Sequence, residues 1–329
     1  MTKAPPLLVT MDASPSIRTV IESTVGNTAN VVYLSDLTGD ARAEELKRAE
    51  ILLSLNTDKE LRPGEAECLE KARFIQFVSA GIDFIPLATL PSSVAIAGNG
   101  GGYAEPMAEH AVMMALAAYK RLLIEHHNLA AGAFNQFQPN RMLAGSKCGV
   151  VGFGGIGKAT ARLMRSLGCS IYAVNRSGET DEPVDWIAST DRLHELLDLA
   201  HILIVSVPLT PATHHLIGRT ELDRMKRDAV LINLARGEIV NENDLYAHLR
   251  DRPDFTACID AWWVEPVRHG EFRMEHDFMS LPNVIASPHN SASVTGWRKT
   301  AVRRAVENCC RVLRSETPRF LVPQEDRMM

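Results

Sequence analysis

Several protein classes are excluded by what this chain lacks. Its six cysteines in 329 residues show no C-x-x-C spacing. That argues against a disulfide framework and supplies no thiolate set for zinc. Cys148, Cys169 and Cys258 lie in or beside apolar runs and read as small buried hydrophobes with reduced thiols. No Lys/Arg run or basic stripe is present, and 35 basic against 40 acidic residues leave a net charge of −5. No nucleic-acid partner is expected from that balance. Apolar runs are all shorter than a membrane span, and the opening MTKAPPLLVTMD is too short in apolar residues for a signal peptide. The expectation is a cytoplasmic protein without a membrane partner. The pairs His126–His127 and His214–His215 read as adjacent helical residues, which do not face one direction, and no metal is expected. Short-period repeats and low-complexity tracts are absent.

What is present is most informative between Lys147 and Ser177. Val150 and Val151 end an apolar strand, and Gly152, Gly154 and Gly157 then supply G-x-G-x-x-G. Helical spacing continues from Lys158 to Leu167, and a second apolar strand follows at Ile171–Val174. This strand–turn–helix–strand setting is what a dinucleotide-binding fingerprint requires. The first glycine permits the tight turn, the second lets backbone approach a pyrophosphate, and the third lets helix and strand pack closely. The phosphates then meet the N–H groups of Gly155, Ile156 and Gly157 at the helix N-terminus. Asn175, Arg176 and Ser177 end the second strand, where an acid usually holds the ribose of NAD. Arginine there pairs with a 2′-phosphate, so NADP is the expected cofactor, with NAD the alternative.

Length implies two domains. Apolar runs at Leu7–Thr10, Val31–Leu34, Ile51–Leu55, Phe74–Val78 and Val94–Ala97 alternate with helical segments such as Ala41–Ala49 and Glu65–Ala72. Further runs at Ile202–Val207, Val230–Asn233, Thr256–Asp260 and Val284–Ser287 continue the nucleotide unit. Such alternation predicts an α/β protein with mainly parallel sheets. One long helix is expected from Ala104 to about Asn128, and a last one from about Ser293 to Leu313. The nucleotide domain therefore sits mid-chain, at 100–290, inside a substrate domain built from 1–99 and 291–329.

Three apolar strands in the second half end on chemically capable groups: Arg236 in LINLARGEIVNE, Glu265 in CIDAWWVEP, and His289 in VIASPHNSASV. Loops at the carboxyl ends of parallel strands converge on the ligand crevice. Together with FVSAGIDFIP, YAEPMAEHAV and VPLTPATHHLIG, in this order, they resemble the D-isomer-specific 2-hydroxyacid dehydrogenase family over nearly the whole chain. The resemblance implies two doubly wound parallel-sheet domains, a central Rossmann domain inserted into a flavodoxin-like substrate domain. It also implies that Arg236, Glu265 and His289 carry the chemistry on a small 2-oxo or 2-hydroxy acid, and that the protein is a homodimer.

The residue chemistry is consistent with those roles. Arg236 offers a planar fork for a carboxylate and its neighbouring carbonyl. The imidazole of His289 can give and take a proton and suits a general acid, oriented by Glu265, which stabilises its charged form. Arg236 and His289 are thus expected to touch substrate, along with the backbone of Ala80 and Gly81, whose loop resembles the family's carboxylate-binding loop. Val207, Pro208, Thr213, Ala235 and Asp260 are expected beside the cofactor. His110 reads as a satisfied interdomain histidine rather than a ligand, and Trp262 and Trp263 as core or interface. The segment Val267 to Asp277 is longer and more charged than the usual connection. A glyoxylate- or hydroxypyruvate-type reductase is the leading reading. The alternatives are a phosphite-type dehydrogenase, which can keep the same three residues, and a nucleotide-sensing corepressor-like binding protein.

Overall fold

The structure is a computed structural model and describes residues 6–327. Among the described residues the strands form two wholly parallel sheets. The first contains β1 (Pro6–Val9), β2 (Asn30–Tyr33), β3 (Ile51–Ser54), β4 (Phe74–Phe77) and β5 (Ala95–Ala97), in the order β2-β1-β3-β4-β5. β3 and β4 are buried at every position, as parallel strands covered on both faces must be. The order is that of a flavodoxin-like sheet. Helix Trp297–Leu313, near the end of the chain, packs on helix Pro15–Val25, near its beginning. Val302, Ala305, Val306 and Cys309 share one core with Leu7, Val9 and Ile21. Asn308 fastens this packing: its amide donates to Gln76 Oε1 at 2.6 Å and to the Arg319 carbonyl at 2.9 Å.

The second sheet holds β6 (Lys147–Val151), β7 (Ser170–Asn175), β8 (Trp186–Ser189), β9 (Ile202–Val205), β10 (Val230–Asn233), β11 (Thr256–Ile259) and β12 (Val284–Ala286). Their order is β12-β11-β10-β9-β6-β7-β8. The chain winds outward in one direction through β7 and β8, returns to β9, and winds outward in the other. The switch point lies between β6 and β9, where a doubly wound sheet binds its ligand. The fold is therefore α/β, with a Rossmann-type sheet inserted in the chain that makes a flavodoxin-like one. Two compact units result, one from Met1–Tyr103 with Val294–Met329, the other from Ala104–Ser293.

Some elements differ from the sequence expectation. The long helix is two, Ala104–Tyr119 and Leu122–Ala130, broken at Arg121, which has φ 53°. No glycine or proline marks the break, so apolar periodicity runs through it. What stops the first helix is tertiary: Tyr119 is buried, its hydroxyl meets Ser146 Oγ at 3.1 Å, and the Arg141 guanidinium lies 4.2 Å from its ring centre. Glu65–Ala72 holds only a 3₁₀ turn, Ala66–Cys68. The last helix begins at Trp297, after Gly296 with φ 78°. β8, of sequence WIAS, is too short and too mixed to stand out as an apolar run.

Candidate active site

Two of the three fingerprint glycines have steric reasons to be glycine, and the third leaves open space. Gly152 has φ 91°, and a Cβ there would meet Val207 backbone N at 2.8 Å. Gly157 packs so closely that a Cβ would lie 2.3 Å from the Gly152 carbonyl oxygen. Gly154, the N-cap of helix Gly155–Ser166, faces open space, with nothing within 4 Å of a Cβ. No side chain caps this helix, so its first N–H groups, including those of Gly155 and Ile156, are left for an anion. This residue set fits a dinucleotide pyrophosphate. Ser206 supports the turn from β9: its hydroxyl donates to the Gly152 carbonyl at 2.7 Å. Sequence reasoning missed it, because a lone serine after an apolar strand carries no signal.

At the end of β7, Asn175 is committed to its own loop. Its Oδ1 accepts from Gly178 N–H at 2.7 Å and from the Ser177 hydroxyl at 3.2 Å, while its Nδ2 donates to the Glu179 carbonyl at 2.8 Å. The amide therefore sets the shape of the turn that presents Arg176. Beyond it, Lys158 pairs with Asp181 and Arg162 with Glu182. Val207 is buried, Pro208 is exposed, and Thr213 closes the loop after β9 by donating to the Pro208 carbonyl at 2.6 Å.

The next three strands carry the candidate chemistry. After β10, Asn233 shapes the turn by accepting from Ala235 N–H at 3.1 Å and donating to the Arg236 carbonyl at 2.8 Å. Arg236 lies half-buried on this turn. After β11, Glu265 is buried, and its Oε1 accepts from Trp262 N–H at 2.7 Å. After β12, His289 places Nδ1 2.8 Å from both Glu265 oxygens. Its side chain is 34% exposed, whereas that of Glu265 is 8% exposed, so the imidazole joins a buried carboxylate to an open face. Burial alone would raise the Glu265 carboxyl. The hydrogen bond and charge of His289, the Trp262 N–H and the Arg236 guanidinium outweigh burial and hold it below the usual carboxylate range.

His289 has φ 50°, a left-handed conformation uncommon for a residue other than glycine. Asp260, fully buried, holds this loop in place. Its carboxylate accepts from the Ser287 hydroxyl at 2.5 Å, Asn290 N–H at 3.1 Å and Ser291 N–H at 3.3 Å. A buried carboxylate needs such donors to offset its lost hydration. The side chain of Asp260, which the sequence reading expects beside the cofactor, is thus tied to the His289 loop. Ser287 also meets His110 Nε2 at 3.0 Å, which accounts for that histidine inside the second unit. A further histidine, His269, accepts the Glu265 N–H on Nδ1 at 3.0 Å. Ala80 and Gly81 follow β4 at the carboxyl edge of the first sheet. Among the described residues no group of His, Cys, Asp or Glu is gathered as a metal ion requires.

A family model described as "D-isomer specific 2-hydroxyacid dehydrogenase, NAD binding domain" matches residues 112–291. The chain belongs to this family. It is an oxidoreductase with an NAD-binding domain. A glyoxylate reductase of Thermofilum pendens is 30% identical over 298 residues, covering 86% of this chain and 85% of the relative. A glyoxylate reductase of Korarchaeum cryptofilum is 29% identical over 291 residues, covering 86% and 85%. Among solved structures, a putative formate dehydrogenase from Pyrobaculum aerophilum superposes with a TM-score of 0.80 at 27% identity, covering 98% of this chain and 99% of that one. A family member from Xanthobacter autotrophicus Py2, in complex with NADPH and MES, shares the fold at 22% identity, with a TM-score of 0.78 and coverage of 97% and 98%. A histidine–carboxylate pair can give and take a proton, and an arginine can hold a carboxylate.

Proposed function

We propose that the protein reduces a small 2-oxo acid of the glyoxylate or hydroxypyruvate type to its 2-hydroxy acid (the D isomer where the product is chiral), with a nicotinamide dinucleotide as reductant. The carrying observation is the buried Glu265 holding His289 Nδ1 at 2.8 Å beside a dinucleotide fold. Gly152, Gly154, Gly155, Ile156 and Gly157 hold the pyrophosphate, and Val207, Pro208, Thr213 and Ala235 border the remainder. The bound nicotinamide supplies the hydride. Arg236 binds the substrate carboxylate and polarises the adjacent carbonyl. With Nδ1 tied to Glu265, Nε2 of His289 carries the proton that passes to the carbonyl oxygen as negative charge develops there. Glu265 stays ionised and stabilises the imidazolium before that transfer. Reversal makes His289 the base that takes the hydroxyl proton. Ala80 and Gly81 are proposed to offer backbone N–H groups to the carboxylate.

Proton delivery also separates this reading from its rivals. Formate oxidation passes a hydride to the cofactor and leaves carbon dioxide, with no proton to move, and a sensor needs no acid at all. Phosphite oxidation is not favoured by the reductases this chain is similar to. We assign NADP as the preferred cofactor on Arg176, with Asn175 and Ser177 supplying the neutral turn around it. The unit Ala104–Ser293 is assigned to the dinucleotide and the other unit to the substrate, close to the 100–290 division the sequence suggests. We also assign a homodimer in the cytoplasm. The deciding experiment follows NADPH and NADH consumption with glyoxylate, hydroxypyruvate, pyruvate and, in reverse, formate and phosphite. Turnover restricted to formate or phosphite, or none with any acid, overturns the proposal.

A further inference from the structure

The segment between β11 and Glu265 contains two consecutive tryptophans, both nearly buried, at 4% and 8% exposure. Their indole N–H groups donate in different directions. That of Trp263 donates to the Val240 carbonyl at 2.7 Å, on the loop that begins with Arg236. That of Trp262 donates to the Ser287 carbonyl at 2.9 Å, on the loop that carries His289. The Trp262 backbone N–H holds Glu265 itself. Two more contacts join the same loops. A Cβ on Gly237 would lie 2.4 Å from the Trp262 carbonyl carbon and 2.5 Å from Trp263 N, so the Arg236 turn is pressed directly on the tryptophan backbone. Arg268, three residues past Glu265, pairs with Glu238, two residues past Arg236, at 2.6 Å, with both side chains largely covered. Phe278 stacks on Trp263 at 5.3 Å and limits its ring to one orientation.

We infer that Trp262–Trp263, with the Glu238–Arg268 pair, is a bracket that fixes the mutual register of Arg236, Glu265 and His289. The inference rests on the proposed reductase reading. Each indole is a positioning residue for a different group: Trp263 sets the substrate-binding arginine, and Trp262 sets the proton donor. Ordinary packing asks only for a large ring at each place. A bracket asks for the N–H as well, because a buried carbonyl left without its donor shifts to find another. Displacing a reacting group by about 1 Å costs up to roughly 10²-fold in rate.

Trp263→Phe and Trp262→Phe keep a ring and remove only the donor and the second ring's volume. Trp263→Phe is expected to raise KM for the oxo acid about tenfold with a smaller change in kcat, since carboxylate binding is what Arg236 contributes. Trp262→Phe is expected to lower kcat about tenfold with KM little altered, and to displace the pH profile of kcat. Glu238→Gln, which leaves both tryptophans in place, is expected to reproduce the Trp263→Phe pattern and stands in for it if that variant folds poorly. His289→Asn and Arg236→Lys run in the same assay. If those two are impaired while the bracket variants, folded by thermal melting, keep wild-type kinetics, the bracket is overturned and the reductase reading stands. The bracket is also overturned if both tryptophan variants lose kcat and KM alike in step with melting temperature. Full activity in His289→Asn overturns the underlying reading instead.

Discussion

His289 occupies a backbone conformation that most side chains resist, which decides how it should be replaced. Alanine at φ 50° adds strain of its own, whereas asparagine tolerates the left-handed region. His289→Asn is therefore expected to fold, bind cofactor and lose on the order of 10²- to 10⁴-fold in kcat, measured by stopped assay with cofactor titrated by fluorescence. Glu265 gives a pH prediction with a definite sign. Its folded-state carboxyl is held below the usual range, so its contribution to stability is complete above the unfolded value of about 4.3 and is lost as pH falls through the lower folded value. The stability gap between wild type and Glu265→Gln, from denaturant melts, should be constant near neutrality and shrink in acid. In activity, Glu265→Gln removes the charge that supports the imidazolium, so oxo-acid reduction should fall away at lower pH than in wild type. Arg236→Lys keeps charge and loses the fork; a large rise in KM with the variant still folded is the expected result.

Each strand-end loop contributes one chemical group and a second residue that holds it. Asn233 shapes the Arg236 turn, Trp262 holds Glu265, and Asp260 pins the His289 loop. At β7, Asn175 shapes the turn that carries Arg176. A charge-assisted contact from Arg176 to a 2′-phosphate contributes about 1.5–3 kcal/mol, roughly ten- to hundredfold in affinity. Arg176→Ala should thus raise KM for NADPH far more than for NADH, and a wild-type preference for NADH contradicts the assignment. Asn175→Asp is expected to weaken NADPH further, by repelling phosphate and by losing the donor to the Glu179 carbonyl that holds the turn. Gly157→Ala places a methyl 2.3 Å from a carbonyl oxygen, so cofactor binding should collapse even if the sheet still folds.

For the molecule as a whole, the uneven surface is the notable property. Between Met113 and Met142 the second unit exposes Leu122, Leu129, Phe134, Phe137 and Met142, the two phenylalanines at 76% and 91%. Exposed apolar groups in one stretch of chain suit the proposed homodimer, with a second copy of this chain as their cover. Phe134→Glu with Phe137→Glu should convert a dimer to a monomer in multi-angle light scattering at micromolar concentration. A wild-type monomer contradicts the assembly and leaves the fold untouched. No helix among the described residues is long and apolar enough to cross a membrane.

Local rules written into the sequence determined the parallel sheets, the glycine turn and the three strand-end groups. Buried parallel strands need continuous apolar runs, a pyrophosphate turn needs glycines at fixed offsets, and Arg236, Glu265 and His289 each lie in the loop after such a run. The helix break at Arg121 was decided by tertiary structure, because the anchors of Tyr119 lie 22 and 27 residues away in sequence. So was the tie of Asp260 to the His289 loop, made by a side chain and by backbone N–H groups about thirty residues apart. The two indoles reach loops more than twenty residues off in opposite directions along the chain. Hydrogen bonds between distant segments leave no periodicity and no local spacing, so only the folded chain shows which distant loops each side chain ties together.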